Sequence, residues 1–411
     1  MHQRLLKLAS LLRFPVCGGG TAVLRVSPST FAIVANGFAD GPAQALRDYL
    51  IARGATVVTV LHPLTPENGS GHVVATYAGG RQVDERTVRL PLRPPLSFVL
   101  DPFIPLLPPR VDGWFGFNPL ACARGLIARK LGRARFVVLW SVDFAPDRFG
   151  RGTLATRLYD RLDCTCCTRA DSRIELSEAA RDARDRRHGL RPDTTRTHVV
   201  PMGAWVDRVP TTPRDGFRHR RVVFLGHLVP PQGVDVLLEA LSLLRTRGEK
   251  IFADVIGTGP LEANLRERAT ALGLDDVVRF HGFVRSHRDV ERILAGSSIG
   301  VAPYRPEGDT FKRYADPGKL KAYLATGLPV VLTDVPPNAD ELVREAGAEI
   351  VRSDAASIAD GIVRGLESPA RWGERRRASL AYARRFDWAV LLGDVLGKLG
   401  FRFASSSAAG H

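Results

Sequence analysis

Cysteine and methionine are scarce in this sequence and long apolar runs are absent, and each scarcity excludes something. Five cysteines among 411 residues are an odd count in a large chain, which does not fit the disulfide framework of a small secreted fold. Three of them, Cys164, Cys166 and Cys167, fall together in DCTCC, while Cys17 and Cys122 stand apart. No second half with zinc spacing accompanies the run, and His188 nearby belongs to no matching motif. Reduced structural thiols are the main reading and a metal role for the three the lesser one. No stretch of roughly 18 consecutive apolar residues occurs, so no transmembrane helix is expected. The opening residues MHQRLLKLASLLRF carry too short an apolar stretch, broken by Lys7 and Arg13, for a signal peptide. Leu5, Leu8 and Leu12 do share a helical face there, open to two readings: a packed terminal helix, or one lying on a membrane surface. Short-period repeats, zinc-finger and RNA-recognition motifs and paired aspartates for a divalent ion are all missing, and no bound metal or cofactor is expected.

What the chain has in excess is positive charge: 58 Lys and Arg against 43 Asp and Glu, a net +15. Such a field favours anionic partners. Without a nucleic-acid motif, those partners are nucleotide phosphates or acidic lipid headgroups rather than nucleic acid. A solvated Arg-rich surface is the plainer explanation of the same excess. The expected location is the cytoplasm, with the inner face of a membrane as an extension of it.

The length calls for two domains. FAIVANGF, the helical stretch after it and GATVVTVLHPL read as a strand–loop–helix–strand unit. Residues 91–109 are too rich in proline for a helix or central strand and read as a long apolar loop. VDGWFGFN, FVVLWSVDF, SRIELS and THVVPMGAWV supply further strands, with Ser177 a fair N-cap for the helix after SRIEL. The divisions are an N-terminal extension (1–25), a first domain (26–207), a second domain (208–370), closing helices (371–402) and a disordered tail (403–411). The polar, Pro-containing stretch 206–221 holds the linker. Residues 221–333 are the most informative. RVVFLGHLVPPQGVDVLLEALSLL, FADVIGTGPLEANL, VVRFHGFV and KLKAYLATGLPVVLT repeat a strand, a Gly-containing turn and a helix. That arrangement offers backbone N–H groups and helix N-termini to a phosphorylated ligand.

These segments, with ELSEAARD and VVPMGAWVD in the first half, resemble the GT-B glycosyltransferases, in particular the large retaining group numbered family 4. The likeness covers residues 31–399 and is strongest after Arg221. It implies an α/β fold of two Rossmann-like, doubly wound domains facing across a cleft, the first holding the acceptor and the second a nucleotide-sugar. It further implies retention of anomeric configuration without a required metal. The chain departs from the family pattern where the donor diphosphate and ribose are held. The family's Arg after the first loop Gly, and the Lys shortly beyond, are here His227 and Gln232. The paired glutamates fall on Tyr314 and Ala322.

Charge-assisted hydrogen bonds are the stronger kind, so another cation near the loop must stand in. Among Arg305, Lys312, Arg313, Lys319 and Lys321, Lys319 is the first choice, with Asp316 or Glu307 for the ribose. Asp316 also reads as a helix cap. The candidate donor-binding residues are Gly226, His227, Gln232, Gly257, Gly259, Phe283, Arg305, Asp316 and Lys319. The acceptor-side loop holds Asn36, Gly37 and Asp40. Asp143, Asn118 and His62, at strand C-termini facing the cleft, are the catalytic candidates. For each a structural reading stands beside the functional one: a core position for Phe283, an Arg148 ion pair for Asp143, a structural imidazole for His62. The reading is a glycosyltransferase moving a sugar from a nucleotide-diphosphate donor to a glycan or lipid-linked acceptor hydroxyl, with an anionic membrane as a further contact. The alternatives are a non-catalytic relative with a lost donor site and a nucleotide-sugar epimerase.

Overall fold

In the computed structural model the chain is described at residues 29–37, 41–63, 70–89, 110–284, 286–306, 314 and 316–403. The N-terminal helix, the proline-rich loop, the tail, Asp40, Glu307, Lys312 and Arg313 of the sequence reading lie outside these residues. Two sheets divide the chain. The first has eight strands: β1 (Thr30–Asn36), β2 (Thr56–His62), β3 (Gly71–Ala78), β4 (Arg81–Arg89), β5 (Val111–Gly116), β6 (Ala134–Trp140), β7 (Ser172–Glu175) and β8 (Thr197–Val199), in the order β4-β3-β2-β1-β5-β6-β7-β8. From β2 to β8 all pairings are parallel. The central strands are continuous apolar runs because helices cover both faces.

The sequence reading missed the β3–β4 hairpin, which adds two antiparallel strands at one edge. Its signal was present: Gly79-Gly80 separates two strand-like runs, and both glycines have positive φ, 58° and 79°, as the twist of a tight hairpin requires. The exposed edge strand β4, RQVDERTVR, carries the charges that discourage edge-to-edge pairing. The strand expected over THVVPMGAWV is only three residues long, because the chain then leaves the sheet for the linker.

The second sheet, β9 (Arg221–Leu225), β10 (Phe252–Ile256), β11 (Val278–Gly282), β12 (Ile299–Ala302), β13 (Val330–Leu332) and β14 (Glu349–Ile350), is wholly parallel in the order β11-β10-β9-β12-β13-β14. This is the doubly wound Rossmann order, which reverses between β9 and β12 and opens a crevice beyond their C-terminal ends. Helices α1 (Pro42–Ile51), α2 (Pro119–Lys130), α3 (Leu154–Arg169) and α4 (Glu178–His188) serve the first sheet. Those serving the second are α5 (Val234–Thr246), α6 (Glu262–Ala271), α7 (His287–Ala295), α8 (Gly318–Ala325), α9 (Ala339–Ala346) and α10 (Ala355–Leu366). Side-chain caps from Asn118, Thr153, Ser177, Ser286 and Asp354 fix five helix starts.

The chain closes with α11 (Pro369–Ala383) and α12 (Trp388–Lys398). Trp372 of α11 packs in the second core, whereas Trp388, Leu392, Val395 and Leu396 of α12, with Phe401, belong to the first. The polypeptide therefore passes between the lobes twice. The two crossings are tied together: Ala204 N–H donates to Phe386 O at 3.0 Å, Trp388 N–H to Ala204 O at 3.0 Å, and Val206 N–H to the Asp387 carboxylate at 3.0 Å.

Candidate functional site

Both switch-point crevices face the gap between the lobes. On the first lobe, the loops after β1 and β5 are joined by a side-chain bond, Asn118 Nδ2 donating to Asn36 Oδ1 at 2.6 Å. Asn118 also caps α2, accepting from Ala121 N–H at 2.8 Å, so its amide has a fixed orientation. Gly37 turns out of β1 with φ 103° and donates its N–H to His62 O at 2.8 Å.

On the second lobe the glycine loops lie against one another. Gly226 N–H donates to Ile256 O and Leu228 N–H to Thr258 O, both at 2.9 Å. A Cβ on Gly257, whose φ is 132°, would stand 1.9 Å from Gly226 O, so only glycine fits. Lys319, in the first turn of α8, reaches this loop. Its ammonium donates to Gln232 Oε1 at 2.5 Å and sits over the rings of Phe224 at 4.1 Å and Tyr304 at 4.6 Å. A Cβ built on Gly226 would be 3.2 Å from Lys319 Nζ. A cation therefore stands beside Gly226 and Gln232, delivered by a helix start far along the chain. His227 in the same loop is exposed.

The remaining candidates scatter. Arg305 is ion-paired with Asp235 in the first turn of α5. Phe283, directly after β11, is 68% exposed and not the core residue its position allowed. Asp316 does not cap α8, whose N-cap is Pro317. Its carboxylate accepts from Met202 N–H at 2.7 Å and lies 3.6 Å from Lys321, fastening α8 to the linker. Burial pushes the Asp316 carboxyl up, against the pull of Lys321. Asp143 pairs with Arg148 at 2.5 Å. His62 is buried with its Nδ1 2.8 Å from His72 Nδ1. Burial, then His72 and Arg124, lower its pKa to about 3, and an imidazole held neutral and enclosed is a poor general base near neutral pH.

The sequence reading did not find two features. One is a buried charge network behind the Asp143 loop. Arg184 of α4 contacts Asp163 at 2.5 Å and Glu175 at 2.8 Å, and donates to Ser141 Oγ at 2.5 Å and to Asp143 O at 2.8 Å. Burial works against its charge, but Glu175 and Asp163 beside it raise the guanidinium's pKa. His188 closes the network on Asp163 at 2.8 Å. The second feature is a cavity of about 690 Å³ between the lobes. Gly41, Gln44 and Asp48 of the first lobe, linker residues including Trp205 and Arg208, and Leu225, His287, Glu291, Gly318, Lys319 and Ala322 of the second line it. A volume in this range suits a ligand of nucleotide size. Among the described residues no group of His, Cys, Asp and Glu is arranged to hold a metal ion, and no helix is long and apolar enough to cross a membrane.

Comparison with known proteins agrees with this geometry. Residues 219–368 match the family described as Glycosyl transferases group 1. At 28% identity over 179 residues, the chain is similar to a GDP-mannose-dependent alpha-(1-6)-phosphatidylinositol dimannoside mannosyltransferase of Mycobacterium tuberculosis (strain ATCC 25177 / H37Ra), with 44% of this chain and 43% of that protein covered. It is also 28% identical over 169 residues to the putative colanic acid biosynthesis glycosyltransferase WcaL of Escherichia coli (strain K12), covering 41% and 38%. The matches thus span less than half the length of these relatives. Among solved structures, Anabaena HepE in complex with UDP aligns with a TM-score of 0.62 at 18% identity, over 90% of this chain and 99% of that one. Sucrose-phosphate synthase from Thermosynechococcus elongatus aligns at 0.66 and 16%, over 90% and 99%. The fold is GT-B, two Rossmann-like lobes about a cleft. The match to the group 1 glycosyl transferases falls within the second lobe.

Proposed function

We propose that the protein is a glycosyltransferase that moves a sugar from a nucleoside-diphosphate donor to an acceptor hydroxyl on a glycan or lipid-linked molecule. The observation that carries this reading is the Lys319 ammonium beside Gly226 and Gln232, at the mouth of the Rossmann switch point. The departing group in such a reaction is a nucleoside diphosphate, so stabilising its negative charge is a large part of catalysis. Lys319 supplies the charge and the N-terminus of α8 adds its partial dipole. Asp316 and Arg305 hold the walls around this grip through their partners at Met202 and Asp235. The Asn36–Asn118 pair and the Asp143–Arg148 pair border the acceptor side, where they orient the incoming hydroxyl. Closing the lobes about the tied crossings would exclude water and bring the acceptor to the anomeric carbon. Retention of configuration and independence of metal come from the resemblance to the retaining family 4 group and belong to the proposal. So does an acceptor held at an anionic membrane surface, which the excess of positive charge supports.

The test is a screen of nucleotide-sugars read by release of free nucleotide, with and without glycan and lipid-linked acceptors. Release that requires an acceptor, and falls at least tenfold in Lys319→Ala, is the expected result. Conversion of the donor sugar without acceptor would point to an epimerase. Failure to bind the diphosphates of uridine, guanosine and adenosine would leave only a non-catalytic binding protein.

A further inference from the structure

We infer that Tyr314 is a positioning residue that sets the separation between the phosphate grip at Lys319 and the acceptor side at Asp143, and so acts on the transfer step rather than on donor binding. Its bearing on transfer rests on the donor reading above, whereas the contact it makes between the lobes does not. Tyr314 lies between β12 and α8, four residues before the helix whose first turn carries Lys319. Its ring leaves the second lobe and meets Phe144 of the first edge-on, with centroids 5.4 Å apart and planes at 78°. Such edge-on pairs are favourable beyond the area they bury. Ala180 and Ala183, one turn apart on α4, are buried with Phe144, and their small side chains leave room for the Tyr314 ring to pack. A hydrogen bond fixes the backbone as well. Ser177 Oγ donates to Tyr314 O at 2.6 Å while accepting from Ala180 N–H at 3.0 Å. The hydroxyl that caps α4 thus also ties the second lobe to the first.

Each end of this contact runs to a group that transfer needs. On the first lobe, Phe144 directly follows Asp143. The Arg184 guanidinium lies over the Phe144 ring at 5.0 Å and donates to Asp143 O at 2.8 Å. The ring that Tyr314 meets therefore belongs to a loop held from behind by a buried charge. On the second lobe, Asp316 accepts from Met202 N–H at 2.7 Å and fixes the chain between Tyr314 and Lys319. With its neighbours held on both sides, a change at Tyr314 is passed to the spacing of the two loops. Misplacing reacting groups by about 1 Å is enough to cost roughly a hundredfold in rate. Among the described residues the Tyr314 hydroxyl has no hydrogen-bond partner, so the ring and the backbone carbonyl carry the contact.

The experiment uses the full chain and three readouts: kcat for acceptor-dependent nucleotide release, affinity for uridine and guanosine diphosphates by calorimetry, and lobe separation by small-angle X-ray scattering. Tyr314→Ala is expected to lower kcat about tenfold or more, to leave diphosphate affinity unchanged and to raise the radius of gyration. Tyr314→Phe, which keeps the ring and the carbonyl, should match wild type in all three. Ser177→Asp still caps α4 but has no proton to donate to Tyr314 O, and should lower kcat with affinity unchanged. An unchanged kcat in Tyr314→Ala overturns the inference. So does an affinity that falls in step with kcat, which would place Tyr314 in the grip itself, or a Tyr314→Phe that behaves as Tyr314→Ala does. If wild type transfers no sugar, the donor reading fails and scattering alone decides the lobe contact. A larger radius in Tyr314→Ala then upholds the contact, and equal radii overturn it.

Discussion

At the scale of single residues, the sequence identified which side-chain types were missing from the glycine loop and put Lys319 first among the cations able to stand in, but did not show which loop residue it would meet. Gln232 and Lys319 are separated by 87 positions, and no periodicity or spacing connects them. Only the fold of β9, β12 and α8 brings them together. Single candidates such as His62 and Asp143 were found by position at strand ends, but their partners His72 and Arg148 decide their chemistry. His62 yields a prediction with a definite sign. In the unfolded chain its imidazole takes a proton near 6.5, and in the fold only near about 3. Its contribution is therefore fully present above pH 6.5 and is lost as the pH falls towards about 3, by up to about 1.4 kcal/mol per unit. His62→Gln should show a flatter acid limb than wild type in thermal melts between pH 6 and pH 4. Parallel limbs would show that the buried imidazole pair does not govern acid stability.

Secondary-structure elements were more legible than their contacts. The parallel strands, the glycine turns and the helices of residues 221–333 could be read because each buried strand is a continuous apolar run ending at a glycine. The β3–β4 hairpin escaped because its outer strand is polar on both faces and offers no apolar alternation to read. The glycines themselves differ in what they do. Gly257 allows two loops to touch, whereas Gly132 merely turns the chain with φ 68° and has nothing within 4 Å of its would-be Cβ. Gly132→Ala should cost roughly 1 kcal/mol, the strain of a left-handed alanine. Gly257→Ala adds an overlap with Gly226 O, costing about 1–3 kcal/mol more, and should displace the loop that Lys319 meets. Urea unfolding measures both, and equal costs would mean that the two loops are not in contact.

For the whole molecule, two lobes with a Rossmann-like second half follow from the order of strands and loops, but the route of the C-terminus does not. The apolar spacing of α12 shows that one face is buried without showing which lobe buries it. The structure returns it to the first lobe, where Phe401 meets Phe31 edge-on at 5.2 Å. Phe401→Ala should therefore destabilise the first lobe, some three hundred residues away in sequence, by about 3–5 kcal/mol. Hydrogen exchange should show the loss in β1 and β5 rather than in β9 and β10, and the reverse pattern would contradict this packing. The central claim concerns the gap that these crossings frame: a positive charge at one place beside Gly226 holds the diphosphate, whichever element supplies it. The most direct measurement is nucleoside-diphosphate affinity in Lys319→Gln and in the exchanged double variant Lys319→Gln with Gln232→Lys. Removing a charge-assisted bond should weaken binding by about 1.5–3 kcal/mol, roughly ten- to a hundredfold, and the exchange should restore most of it. If Lys319→Gln binds as wild type does, or the exchange restores nothing, the site beside Gly226 is not where the phosphates are held.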